Sequence, residues 1–298
     1  MQTVLLPEDV QPTEPDFLVG LVGFNGVIGD VDLTSVGFYV PPYMGPRSTL
    51  ELISQMPNIE VVQLLTVGFD AALEHVPEYV TLCNAVGVHD AGTAELAVGL
   101  VLASLRGIDD FARAMPRGAW IHERRPSLVD RSVIIIGAGG VGRAIADRLI
   151  PFGADVTIVA RSQRTGIVPI SELPNLLPHS DIVILAIPLD AQTQNLVDDS
   201  FFSRMRDGAL LVNVARGGVV NTDALLRHAQ QGRIRAALDV TDPEPLPPDH
   251  PLWRTPGVLI SPHVGGDSSA FVPRAKRLVD SQISLWRRGD PPAHIVRG

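Results

Sequence analysis

Apolar runs of strand length alternate with longer mixed segments along most of this chain. Beyond residue 130 they are regular enough to predict six strands, at 132–136, 155–160, 181–186, 209–213, 236–240 and 258–261. Shorter runs nearer the N-terminus predict three more, at 17–22, 36–40 and 60–65. Strands that alternate with segments of helical length are typical of α/β proteins with a parallel sheet, so we expect that fold class.

Three other segments carry helical signals. Residues 47–55 and the amphipathic tail 268–288 have apolar positions at helical spacing. Residues 93–112 are apolar and lack proline, which predicts one long helix. The stretch 115–130 is rich in Arg and Pro and is predicted to be a loop. The segment 242–250 is also predicted to be a loop, because its four prolines exclude a helix or a central strand.

Composition narrows the function classes. The 298 residues suffice for about two domains, and 45% hydrophobic against 19% charged residues excludes a disordered chain. The net charge of −9 argues against nucleic-acid binding, which favours a basic balance. Lys276 is the only lysine. Chemistry that depends on a lysine, such as a pyridoxal Schiff base or a Walker-A phosphate loop, is therefore nearly excluded.

The chain shows no sign of export or membrane insertion. Its one cysteine, Cys83, excludes an intrachain disulfide and a thiolate metal cluster, and we expect no metal site. Pro7, Glu8 and Asp9 interrupt the first apolar run before it could act as a signal peptide. No run of about 18 apolar residues is present. We therefore expect a cytoplasmic protein without a membrane partner.

A glycine-rich turn follows the strand predicted at 132–136. Gly137 permits the tight turn, Gly139 lets the backbone approach a pyrophosphate, and Gly142 allows close packing of helix on strand. A helix is predicted to follow at 143–149, and its N-terminal N–H groups favour phosphate. Gly140 and Val141, in the turn itself, are further expected cofactor contacts. We interpret this turn as a dinucleotide site, the alternative being a turn without a ligand. A second glycine run, Gly23, Gly26 and Gly29, precedes no helix of useful length and is interpreted as a loop.

The end of the second strand indicates which dinucleotide is bound. NAD enzymes carry an acidic residue about 20 residues after the glycines, where it binds the ribose hydroxyls. Here that place holds Arg161, Ser162 and Arg164, and no carboxylate. Guanidinium groups with a hydroxyl suit a 2′-phosphate, so we expect NADP(H) to be preferred, with NAD(H) possible. The alternative is that Arg161 stacks on adenine, which either cofactor allows.

Four motifs in order resemble the D-isomer-specific 2-hydroxyacid dehydrogenase family, which includes glyoxylate/hydroxypyruvate reductases, phosphoglycerate dehydrogenases and formate dehydrogenases. They are GAGGVG at 137–142, NVARGG at 213–218, DVTDPEPLP at 239–247 and SPHVGG at 261–266. The resemblance implies two Rossmann-like, doubly wound parallel-sheet domains. The NAD(P)-binding Rossmann domain, residues 91–266, would be inserted into a smaller flavodoxin-like substrate domain, residues 1–90 plus 267–298.

The resemblance also implies the catalytic groups. Arg216 matches the arginine that binds the substrate carboxylate and polarises the carbonyl, and His263 matches the acid/base. Glu244 matches the carboxylate that pairs with His263 and orients its ring. Asp239 matches the position that holds the nicotinamide carboxamide. Further cofactor contacts are implied at Pro188, Val214 and Ala215.

The resemblance is weaker outside the nucleotide domain. Val67 and Gly68 match a loop whose N–H groups bind the substrate carboxylate. Relatives dimerise through the region 93–130, so we expect a homodimer. The first 45 residues match poorly. Tyr43 and Met44 lie at the end of this segment, where they either line the side of the pocket that faces the substrate R group or form a simple turn.

These observations predict an oxidoreductase that transfers a hydride from NADPH to a small 2-oxo acid of the glyoxylate or hydroxypyruvate type, giving the D-2-hydroxy acid. One alternative is an NAD enzyme like phosphoglycerate dehydrogenase. Against it, Arg47 is the only basic residue before Arg106, whereas a phosphorylated substrate calls for more cations. The other alternative is a dinucleotide-sensing scaffold like the corepressors of this family.

Overall fold

The computed structural model describes residues 2–11, 21–24 and 31–297. The chain divides into two compact units. The first consists of Met1–His89 together with Ser269–Gly298, and the second of Asp90–Ser268. The second unit thus interrupts the first in the sequence.

The described residues of the first unit begin with five strands and a short helix: β1 (Thr3–Pro7), β2 (Leu21–Phe24), β3 (Val36–Tyr39), α1 (Ser48–Glu51), β4 (Val61–Gln63) and β5 (Thr81–Cys83). The second unit supplies six helices and seven strands: α2 (Asp90–Arg106), α3 (Ile108–Ala114), β6 (Ser132–Ile136), α4 (Gly140–Leu149), β7 (Asp155–Ala160), β8 (Val168–Pro169), α5 (Leu173–Leu176), β9 (Ile182–Leu185), α6 (Asp199–Arg204), β10 (Leu210–Asn213), α7 (Thr222–Gln230), β11 (Arg235–Leu238) and β12 (Val258–Ile260). The chain then completes the first unit with α8 (Phe271–Arg288) and β13 (Ile295–Arg297).

In each sheet, successive strands are added first toward one edge and then, from a point in the middle, toward the other. The sheet of the second unit has the order β8-β7-β6-β9-β10-β11-β12, and all its neighbouring strands are parallel. The first unit has the order β2-β1-β3-β4-β5-β13, with only β13 antiparallel. These are the Rossmann and flavodoxin-like strand orders. The predicted fold class is confirmed.

The strands of the second unit are buried on both faces. In β6, Ile134 and Ile136 point into one apolar layer, and Val133 and Ile135 into the layer formed with α2 and α4. Side chains alternate along a strand, so a strand covered on both faces is apolar throughout. This is why the continuous runs predicted these six strands to within two residues of their observed bounds.

The first unit follows the sequence pattern less closely. Strands β1, β5 and β13, and the two-residue β8 of the second unit, were not predicted. The strand predicted at 17–22 is observed as β2, Leu21–Phe24, and residues 17–20 lie outside the described part of the chain. The loop predicted at Gly23 is wrong, because Gly23 belongs to β2, and Gly26 and Gly29 lie outside the described residues. The helix predicted at 47–55 is α1 followed by a 3₁₀ turn, Leu52–Gln55.

The prediction of one helix over 93–112 is wrong. The chain forms α2 and α3, separated by Gly107, whose φ of +64° is the left-handed conformation that ends a helix. The two axes, Asp90–Arg106 and Ile108–Arg117, differ by 67°. Among the described residues no single helix is long and apolar enough to cross a membrane, and this bent pair meets the requirement only by length and composition.

Candidate active site

The chemistry-bearing loops of the second unit share one edge of its sheet. Parallel strands end on the same side, so the segments after β6, β7, β10, β11 and β12 all start at the carboxyl edge. This edge, at the switch point between β6 and β9, is where open α/β sheets bind ligands.

The turn after β6 is shaped for close approach of a dinucleotide. Gly137 has a φ of +127°, and a Cβ there would lie 2.1 Å from the Ala186 carbonyl oxygen. A Cβ on Gly142 would lie 1.9 Å from the oxygen of Gly137. A Cβ on Gly139, in contrast, would meet nothing within 4 Å, so this position faces open space. Steric contacts therefore require glycine at positions 137 and 142, whereas Gly139 leaves room for a ligand. The residues fit a dinucleotide.

Gly140 is restricted by a contact that the sequence did not indicate. A Cβ at this position would lie 1.8 Å from Oδ2 of Asp90, the first residue of α2. The start of α2 thus packs directly on the turn that opens α4. No local signal connects these residues, which are 50 positions apart in the sequence.

His263 and Glu244 form a direct pair. Nδ1 of His263 lies 2.5 Å from Oε1 of Glu244, and their side chains are 27% and 38% exposed. Glu244 comes from the proline-rich loop after β11, and His263 from the loop after β12, where its φ is +54°. With Nδ1 engaged, Nε2 is the ring nitrogen left to exchange a proton with a ligand.

Asp239 anchors the loop that carries His263. It is 3% exposed, and its carboxylate accepts hydrogen bonds from the Ser261 hydroxyl (2.7 Å) and from the N–H groups of Val264 (3.0 Å) and Gly265 (2.9 Å). Its carbonyl oxygen accepts from the His263 N–H at 2.8 Å. The sequence indicated only a cofactor contact for Asp239; its anchoring role depends on partners more than 20 residues away.

Arg216 follows β10 on a turn that is itself anchored. The side chain of Asn213, 1% exposed, donates to the Arg216 carbonyl (3.0 Å) and accepts from the Ala215 N–H (3.0 Å). A Cβ on Gly217 would lie 1.9 Å from the Thr241 oxygen, so this turn packs on the loop that leads to Glu244. The Arg216 guanidinium donates to the Ala215 carbonyl and makes no ion pair within the described ranges. It can therefore bind an anion.

The segment after β7 is exposed. The Arg161 guanidinium pairs with the Asp190 carboxylate, with 54% and 37% of the two side chains exposed. Desolvation acts to raise the pKa of Asp190, but hydrogen bonds from the Gln192 N–H and from Arg161 outweigh it and lower that pKa. Ser162 and Arg164 are exposed, and Arg164 has no ion pair in the part of the chain that the structure describes.

The other predicted cofactor contacts line the same edge. Val214 and Ala215, 8% and 7% exposed, precede Arg216 directly. Pro188 lies after β9, where its carbonyl oxygen accepts a hydrogen bond from the Thr193 hydroxyl at 2.7 Å.

The predicted carboxylate-binding loop belongs to the first unit and follows β4. Val67 is 40% exposed, and the Thr66 hydroxyl donates to the Gly68 carbonyl at 2.6 Å. Neither the Val67 nor the Gly68 N–H donates to an acceptor among the described residues. Tyr43 packs on Phe271, with ring centroids 4.3 Å apart, whereas Met44 is 58% exposed.

Comparison with known proteins identifies the family of this chain. Residues 98–265 match the family model described as D-isomer specific 2-hydroxyacid dehydrogenase, NAD binding domain. Glyoxylate reductase from Thermofilum pendens is 31% identical over 265 residues, covering 83% of this chain and 77% of the relative. Glyoxylate reductase/hydroxypyruvate reductase from Homo sapiens is 33% identical over 253 residues, covering 78% and 76%.

A solved structure extends the similarity to the whole chain. An NADPH-dependent glyoxylate/hydroxypyruvate reductase from Sinorhizobium meliloti, in complex with NADP and malonate, superposes with a TM-score of 0.81 at 26% identity. The match covers 99% of this chain and 96% of that one. The chain therefore belongs to the D-isomer specific 2-hydroxyacid dehydrogenase family and is an NAD(P)-dependent oxidoreductase.

Proposed function

We propose that this protein is an NADPH-preferring reductase of glyoxylate or hydroxypyruvate that forms the D-2-hydroxy acid. The observation that carries the proposal is the 2.5 Å contact between His263 and Glu244. Both residues of this pair lie at the same sheet edge as Arg216, which has no carboxylate partner among the described residues. A 2-oxo acid needs both features, because its carboxylate must be bound and its carbonyl oxygen must receive a proton.

Each side chain has a distinct task in this proposal. The nicotinamide, when bound, supplies the hydride that adds to the carbonyl carbon. Arg216 binds the carboxylate and polarises the carbonyl, and Nε2 of His263 gives its proton to the carbonyl oxygen. Glu244 accepts from Nδ1–H, which holds the ring in place and stabilises the imidazolium before the transfer. The N–H groups of Val67 and Gly68 supply a second anchor for the carboxylate.

The cofactor preference rests on Arg161, Ser162 and Arg164, which would bind the 2′-phosphate. Arg164 is exposed and has no ion pair among the described residues, so its guanidinium can bind a phosphate without losing a partner. Arg161 would either leave Asp190 for the phosphate or bind both groups. Leaving it costs little, because such an exposed ion pair contributes only about 0–1 kcal/mol to stability. The Sinorhizobium meliloti relative was solved with NADP.

A phosphoglycerate-type substrate is not favoured. Arg47, the only basic residue among the first 105, already pairs with Glu74 at 2.8 Å. A corepressor-like scaffold has no observation in its favour, and it would be indicated only if no 2-oxo acid were reduced.

We also propose a homodimer through residues 93–130. This region exposes large apolar side chains, including Ile108 (52%), Met115 (77%) and Trp120 (93%). Such side chains tend to be covered at interfaces. Sedimentation analysis should show a dimer for the wild type and a shift toward monomer for Trp120→Glu; a monomeric wild type would contradict this proposal.

Steady-state assays with NADPH and NADH against glyoxylate, hydroxypyruvate and pyruvate test the proposed reaction. We expect glyoxylate or hydroxypyruvate to give the highest kcat/KM, with NADPH favoured over NADH by about tenfold or more. A preference for NADH would refute the cofactor assignment alone. Absence of turnover on all three acids would refute the substrate class.

A further inference from the structure

The loop after β4 is contacted by a side chain that lies outside the four motifs described above. Asn84, the residue directly after β5, donates from Nδ2 to the Val67 carbonyl oxygen at 2.8 Å. We propose that Asn84 is a positioning residue for substrate binding, which orients the Val67–Gly68 peptide and strengthens its N–H as a donor to the substrate carboxylate. This inference rests on the proposed function of that loop.

The sheet brings the two segments together. Strands β4 and β5 are parallel neighbours, with Gln63 opposite Cys83, so the residues after each strand emerge at the same edge. The Ala85 N–H donates to the Thr66 carbonyl at 2.9 Å, which ties the segment after β5 to the loop after β4. Asn84 is 5% exposed. A buried side-chain amide thus donates a hydrogen bond to a loop in which Val67 is exposed.

The hydrogen bond acts on the group that would bind substrate. The carbonyl of Val67 and the N–H of Gly68 belong to one peptide unit. A donor on the carbonyl oxygen polarises that unit, because hydrogen bonds in series strengthen one another, and the N–H becomes a better donor. The Thr66 hydroxyl holds the following carbonyl, that of Gly68, at 2.6 Å. Both peptide groups that flank Gly68 therefore have a fixed orientation.

The backbone of Asn84 is hydrogen-bonded to a network of buried side-chain amides. Its own carbonyl oxygen accepts from Nε2 of Gln63 at 3.1 Å, and Gln63 in turn accepts from Gln282 of α8. Gln63 and Gln282 are both 0% exposed. Gln282 also exchanges two 2.8 Å hydrogen bonds with the backbone of Ala293. This chain connects the C-terminal part of the first unit to the loop.

Packing alone does not account for an asparagine at this position. Oδ1 of Asn84 is buried and has no hydrogen-bond partner among the described residues. An unpaired buried oxygen destabilises the folded state, so an apolar side chain would suit stability better. The NH₂ group, which holds Val67, is the part of the side chain with a defined partner.

The test compares Asn84→Ala with Asn58→Ala. Asn58 precedes β4, at the opposite edge of the same sheet, and its Nδ2 donates to the Thr34 carbonyl at 2.7 Å. Each variant loses one asparagine-to-backbone hydrogen bond, but only Asn84→Ala releases the loop. We expect Asn84→Ala to raise KM for glyoxylate and Ki for the carboxylate inhibitor oxamate by about tenfold, with KM for NADPH unchanged. Asn58→Ala should leave all three unchanged.

Stability and a second variant separate positioning from folding. Asn84→Ala also removes the unpaired oxygen, so its unfolding midpoint should stay within about 3 °C of the wild type. Asn84→Asp places an acceptor against the Val67 carbonyl and should raise KM and Ki at least as far.

Equal constants for Asn84→Ala and Asn58→Ala, in an active wild type, would refute the role of Asn84 and leave the proposed function intact. An equal loss for glyoxylate and NADPH would also refute it. A wild type that reduces none of the three acids would instead refute the function on which the inference rests.

Discussion

The two ends of the candidate active site in the second unit are held in opposite ways. At the end proposed to be catalytic, the loop that carries His263 is anchored by Asp239, which is 3% exposed and accepts hydrogen bonds from three groups of that loop. At the end proposed to bind the ribose, Arg161 and Asp190 form one ion pair with 54% and 37% of their side chains exposed.

This difference separates what must be fixed from what can vary. A buried carboxylate with several donors defines one loop geometry, and losing a donor leaves a buried group unpaired, at a cost of about 1–3 kcal/mol. An exposed ion pair contributes about 0–1 kcal/mol and is weakened by salt. In the proposed reaction, proton transfer requires an accurate position of His263, whereas the proposed cofactor preference requires only suitable charges near the ribose. The comparison leads to three predictions, from the largest expected effect to the smallest.

Replacing His263 by Ala should reduce kcat by about a thousandfold, because general acid–base catalysis typically contributes factors of 10² to 10⁴. NADPH affinity should stay within about twofold, since the imidazole is assigned to the substrate. Stopped-flow turnover and fluorescence titration measure the two quantities. His179→Ala, an exposed histidine of the same unit, is the control. Turnover that survives in His263→Ala would show that another group transfers the proton.

Replacing Asp239 by Asn should lower both stability and activity. The amide NH₂ would oppose an N–H donor of the loop, so we expect a loss of about 1–3 kcal/mol in the free energy of unfolding and a fall in kcat of about tenfold or more. Urea unfolding and initial rates provide the measurements. Asp207→Asn removes the carboxylate of an exposed pair with Arg233, in which Asp207 is 87% exposed, and should change stability by no more than about 0.5 kcal/mol. Similar losses in both variants would contradict the distinction between buried and exposed anchors.

Replacing Arg161 and Arg164 by Ala should raise KM for NADPH by about tenfold and leave KM for NADH within about twofold. The ratio of kcat/KM for the two cofactors measures this change. Asp190→Ala should alter that ratio by less than about threefold. It removes an exposed partner of Arg161 and the acceptor of the Gln192 and Thr193 N–H groups, and both cofactors would share the second effect. An equal rise for both cofactors would instead favour stacking of Arg161 on adenine.

The same contrast explains which parts of the fold could be predicted. Strands such as β6 are apolar at nearly every position because both faces are covered, and this signal is continuous. The missed strands β5 and β13 have three residues each, and β13 pairs with β5 from the far end of the chain. A pattern that short carries little information, and a pairing that distant carries no local signal.

The candidate site divides in a similar way. The glycines that the turn after β6 requires could be predicted, since the left-handed φ of Gly137 and the close packing of Gly142 on Gly137 are local constraints. The contact of Asp90 with Gly140 could not, because it depends on how α2 packs against α4.

By itself, the sequence determined the fold class, the family motifs and the residue types at the carboxyl edge, because periodicity and spacing express local geometry. Only the tertiary structure decided that Asp239 anchors the loop of His263, that Arg161 pairs with Asp190, and that Asn84 lies under the loop after β4. Each of these is a hydrogen bond or ion pair between segments that are 17 or more residues apart. Such contacts arise from packing, and no local pattern records them.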